Sequence, residues 1–159
     1  DFKSYSFISN NISEYQNQNP SLYFAIINPE DTNVFALPIP AYRFNNVVDI
    51  IKKYSCNLAL DIANMNSDDL ENIFVNKLDD FAPYLALIYI SDKSKSGATH
   101  LLPWEGILKL PQFFKKIRKS GYLRPFSVKL ALTKDELADS DKIEIILTKA
   151  KEFIEKYWE

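Results

Sequence analysis

Apolar positions along this 159-residue chain alternate between continuous runs that suit strands and 3.6-residue stripes that suit helices. Residues 5–8 (YSFI) read as a short strand, and residues 10–20 (NNISEYQNQNP), rich in Asn and Gln, read as a loop. The run LYFAII at 22–27 suits a buried strand. After the turn NPEDTN at 28–33, the run VFALPI at 34–39 returns as its antiparallel partner. Pro38 and Pro40 lack an N–H, so that second strand is expected to end early or lie at an edge.

From residue 43 onward the pattern becomes helix and strand in turn. Phe44, Val47, Val48, Ile51 and Tyr54 have helical spacing over 43–54, and 58–62 is the next strand. Ser67, Asp68 and Asp69 supply side-chain acceptors and negative charge for a helix start, followed by the stripe Leu70, Ile73, Phe74 and Leu78, with Pro83 as the stop. The run YLALIYI at 84–90 is apolar on both faces and predicts a central strand. Residues 91–104 form a long loop. Pro111 in a first turn and Gly121 at a left-handed cap then frame a helix. That helix turns Leu110, Phe113, Phe114 and Ile117 inward. A last strand is expected at 126–132. Ser140 caps a final helix with the inner stripe Ile143, Ile146, Leu147, Ala150, Ile154 and Tyr157.

This order predicts an α/β fold: a mixed, largely parallel sheet with an N-terminal antiparallel hairpin and about four helices packed on it. One domain over residues 1–159 is expected. The first residue is Asp1 and the last helix has no stop signal, so a piece of a longer protein is the expectation.

Composition supports a packed core. Apolar residues make up 47% and aromatics 14%, which excludes a disordered chain. Cys56 and His100 are each the only residue of their type, which excludes an intrachain disulfide, zinc ribbons and multi-imidazole sites. Three glycines, Gly97, Gly106 and Gly121, are too few and too far apart for a dinucleotide-binding turn or a Walker A loop. No cofactor, metal site or catalytic residue is therefore expected. No apolar run reaches the roughly 18 residues of a membrane span, and a cytoplasmic location is the expectation.

Charge changes the picture most. Between Gly106 and Lys134 the chain carries eight basic residues and no acid, although its formal net charge is only −2. Such segregation steers partners of the opposite sign. The candidate binding residues are Lys93, Lys95, Trp104, Lys115, Lys116, Arg118, Lys119 and Arg124, with Trp104 beside Leu101 and Leu102 having the composition of an interface anchor. The expected role is a non-catalytic protein-interaction domain (an adaptor, immunity-type or assembly module) that binds an acidic protein surface. The alternative is nucleic-acid binding, or metal-dependent hydrolysis led by Asp61 at the end of a parallel strand. Against that alternative, the pI near 5.5 is low for a nucleic-acid binder. Asp92-Lys93-Ser94-Lys95 also lacks the acid-x-Lys spacing within a strand that a metal-dependent nuclease needs.

Overall fold

The structure is a computed structural model that describes residues 24–30, 33–34, 37–38, 44–65, 70 and 78–158, together with residues 11, 14–15 and 17–21. Four short strands form one all-parallel sheet: β1 (Ala25–Ile27), β4 (Asn57–Asp61), β5 (Leu85–Ile90) and β8 (Phe126–Val128), in the spatial order β1-β4-β5-β8. Two separate antiparallel pairs accompany it, β2 (Asn33–Val34) with β3 (Leu37–Pro38) and β6 (Asp92–Lys93) with β7 (Thr99–Leu101). The α-helices whose bounds fall among the described residues are α1 (Phe44–Tyr54), α2 (Leu78–Phe81), α3 (Leu110–Lys119), α4 (Lys134–Leu137) and α5 (Ser140–Trp158).

Strand order follows chain order, so every crossover steps the same way across the sheet. Right-handed connections then leave the crossover helices on one face. The burial agrees: Leu58, Leu60, Ile88 and Ile90 share a single core with Phe44, Val47 and Ile51 of α1 and with Leu110, Phe113, Phe114 and Ile117 of α3. The opposite face carries the rows Ile27–Ala59–Leu87 and Asp61–Tyr89–Ser127. A bulge between Leu58 and Ala59 lets Leu85 and Leu87, two residues apart, face opposite sides, with Ala86 as the extra residue.

Each core helix forms for a readable reason. In α3, Pro111 occupies the first turn, where its missing N–H costs nothing, and Lys116, Arg118 and Lys119 complement the negative end of the helix dipole. Phe114 is fully buried and meets Phe113, Phe126 and Trp158 edge-on at 5.7, 5.6 and 6.5 Å between ring centres. Trp158 lies 4.8 Å from Phe126, so α5 closes over α3 and the edge strand β8 through one aromatic cluster.

The expected α/β class, with its parallel sheet and N-terminal antiparallel hairpin, is what the chain adopts. The hairpin, however, is β2 with β3, while residues 25–27 of the expected first hairpin strand pair with β4 in parallel. Parallel pairing sets Ile26 beside Leu58 and packs it on the core, which the local hairpin would not do. Residues 14–15 and 17–18 of the expected loop are helical, the backbone N–H of Asn19 bonding the Tyr15 carbonyl at 2.9 Å. The last strand ends at Val128 rather than 132. Thr133 and Glu136 then form a reciprocal capping box that starts α4. Leu147 is not inward but 49% exposed, and Phe153 and Trp158 join Ala150, Ile154 and Tyr157 on the packed side of α5. The strand expected at 5–8 and the helix start at Ser67–Asp69, with Ile73 and Phe74, lie outside the described residues.

Phe114→Ala removes the ring shared by α3, β8 and α5. It is expected to cost about 3–5 kcal/mol, read as a lowered urea midpoint with an unchanged m-value.

Candidate functional site

Two places concentrate chemistry: the C-terminal end of the sheet around Asp61, and the outer face of α3. Asp61 is the last residue of β4 and is fully buried. A buried carboxylate is tolerated only when paired and hydrogen-bonded, and this one is. Lys129 Nζ donates to Oδ2 at 2.7 Å, and the backbone N–H of Ala63 donates to Oδ1 at 3.2 Å, which also caps the 3-10 turn Ile62–Asn64. The Asn28 carboxamide clamps the Asp61 backbone at two points, accepting from its N–H at 2.6 Å and donating to its carbonyl at 2.9 Å. Asn64 in turn donates to the Asn28 carbonyl at 2.9 Å. Among the described residues no buried side-chain polar atom lacks a partner.

His100 joins this cluster from β7. Its Nδ1 lies 3.2 Å from Ser91 Oγ and 3.9 Å from Asp61 Oδ1. Its backbone sits in the left-handed region, at φ 62°, where a non-glycine residue needs support. The Ala131 N–H supplies some by donating to the His100 carbonyl at 2.9 Å. Burial lowers the His100 pKa, and Lys129 adds to that, while Asp61 and Glu30 oppose it.

Serine, histidine and aspartate thus stand together without forming a relay. Ser91 is fully buried and faces the same ring nitrogen as Asp61, whereas nucleophilic catalysis needs the two on opposite nitrogens. Lys129 is bonded to Asp61 Oδ2, and no group of three His, Cys, Asp or Glu side chains converges among the described residues. Among the described strands the order β1-β4-β5-β8 does not reverse, so these four strands form no switch-point crevice of the kind that open parallel sheets use. The geometry around Asp61 is that of a strut tying β4, β8 and the β6–β7 hairpin.

A second buried acid organises the long loop. Asp92, 2% exposed, accepts backbone N–H groups of Lys93, Gly106 and Leu108 at 2.8, 2.9 and 3.0 Å. Gly106 is required there, because a Cβ would run into the Asp92 carboxylate and the Lys93 carbonyl. Residues 91–104, expected as a long loop, therefore contain a fastened hairpin.

The basic residues separate into groups. Lys93 and Lys95 ride the β6–β7 hairpin at the top of the sheet. The helix α3 then runs back toward the foot, where Tyr122 and Arg124 line the same cleft as Leu85, the first residue of β5. Six residues of β5 put roughly 20 Å between the two ends. Lys115, Arg118 and Lys119 are exposed within an arc of roughly 100° on α3, and Lys116 is half-buried on its flank. None of these four, nor Arg124, is paired with an acid among the described residues. Trp104 is 40% exposed and leans on Phe153 of α5, ring centres 5.9 Å apart, so part of its ring packs within the chain. Among the described residues no helix is long and apolar enough to cross a membrane.

Comparison with protein-family models finds none that matches this chain, and no curated protein is found to be similar to it.

Lys129→Met leaves the Asp61 carboxylate buried without its cation. It is expected to destabilise the protein by about 1.5–3 kcal/mol, the worth of a charged hydrogen bond with one partly exposed partner, as read by urea denaturation at neutral pH. Because the His100 pKa is lowered by folding, the unfolded chain binds the proton more readily. Stability from His100 is thus fully present above its ordinary value, about 6.5, and lost as pH falls below that toward the lowered folded value. In His100→Asn, which tolerates the positive φ, the decline in urea midpoint between about pH 7.5 and 5.5 is expected to flatten.

Proposed function

We propose that this chain is a non-catalytic protein-interaction domain that docks an acidic protein surface against the outer face of α3. What carries the reading is one observation: Lys115, Arg118 and Lys119 stand exposed on one side of a helix whose other side is locked in the core, with no acid of the described residues paired to them. Unneutralised like charges on a rigid element attract an opposite surface without any ordering of their backbone, and this favours fast, salt-sensitive association. Lys116 adds charge at the flank.

The same helix speaks against single-strand nucleic-acid binding by stacking. Phe113 and Phe114 are 2% and 0% exposed, so the aromatic residues interleaved with the lysines are unavailable to bases. Lys93, Lys95 and Trp104 lie near the top of the sheet and belong to this docking face only for a partner large enough to span the length of β5.

The test is NMR titration of labelled protein with a polyglutamate peptide and, in parallel, a single-stranded oligonucleotide. Saturable amide shifts confined to residues 112–120 are expected with polyglutamate. The triple variant Lys115→Glu, Arg118→Glu, Lys119→Glu should weaken binding roughly tenfold or more with its spectrum otherwise preserved. Shifts that avoid α3 would refute the reading. So would tighter binding of the oligonucleotide with affinity falling steeply between about 50 and 200 mM salt.

A further inference from the structure

A cleft of about 450 Å³ opens at the foot of the sheet, between α2 and the turn that follows α3. Its walls include Asp79, Ala82 and Pro83 on one side and Tyr122, Leu123 and Arg124 on the other. Leu123 is 93% exposed, the most exposed large apolar residue among those described. It is nevertheless held firmly. Gly121, at φ 75°, turns the chain after α3. Tyr122 is 6% exposed, packs with its ring tilted 55° to that of Phe126 at 5.4 Å between centres, and donates its hydroxyl to the Pro125 carbonyl at 2.7 Å. Leu123 is thus a fixed knob at the rim of a hollow. Asp79 and Arg124 stand in that same hollow, yet neither forms an ion pair within its own chain among the described residues.

We propose that this surface is the contact between two copies of the chain related by a two-fold axis. Leu123 of each copy seats in the cleft of the other, and Arg124 of each faces Asp79 of the other. A partner of one charge would meet both signs here, whereas a second copy in antiparallel apposition meets only the opposite one. Knob, hollow, acid and base occurring side by side is the self-complementarity that an isologous contact requires. The fixed turn also reduces the ordering cost of burying Leu123. The pairing is independent of the docking face on α3, since it uses neither Lys115 nor Arg118.

Sedimentation velocity over a concentration series tests it. A reversible monomer–dimer equilibrium that weakens with added salt is expected. Leu123→Asp should raise the dissociation constant roughly tenfold or more. Asp79→Arg and Arg124→Asp should each weaken the dimer, and the double variant should restore it. All three positions are exposed, so folding, checked by circular dichroism, is expected to persist. Leu147→Asp, on the exposed side of α5, should change nothing. A chain that stays monomeric throughout, a double variant no better than the singles, or a dimer lost through Leu147→Asp instead overturns the proposal.

Discussion

Everything at the top of this sheet depends on how one buried carboxylate is compensated. Asp61 is fully enclosed, and an unpaired charge in such a place costs several kcal/mol. Lys129 arrives from 68 residues away to meet it at 2.7 Å, with its ammonium 5.7 Å above the centre of the Tyr89 ring. Because Lys129 follows β8 and Asp61 ends β4, the pair spans the intervening β5 and locks the register of three strands. His100 and Ser91 close the same space from the β6–β7 hairpin, so that hairpin is seated by the same charge.

That arrangement also explains why a promising set of residue types does not form a serine–histidine–aspartate relay here. Catalytic groups need an accessible reacting atom and a base aligned on it. Here Ser91 is enclosed, Asp61 is paired with a lysine and a backbone N–H, and the ring nitrogen that faces serine faces the acid too. The polar network holds structure. Charge that is exposed and unpaired among the described residues lies instead along α3 and at the foot of the sheet.

Packing sets where that free charge stands. Leu110, Phe113, Phe114 and Ile117 must face the core, so the lysines and arginine between them face outward whatever their purpose. The linear stretch of basic sequence becomes a helical face and a cleft rim, while Lys93 and Lys95 stand apart on a hairpin.

The strands at 85–90 and 57–61 and the helices at 44–54, 110–119 and 140–158 were legible because their apolar period is local and their caps and prolines act within one turn. The box Thr133–Glu136 was equally local and readable, although the strand expected through 132 obscured it. Asp61 could be singled out as an acid at a strand end, but its lysine could not, because a partner 68 positions away leaves no periodic trace. The same holds for the choice of neighbour at Ala25–Ile27. Short apolar runs pair equally well with several others until the core decides which pairing buries Ile26. Local chemistry determined which segments are helix and strand, and where the positive charge falls along the chain. Only the folded arrangement, by bringing distant residues within hydrogen-bonding reach, decided which charges are used up inside and which remain outside.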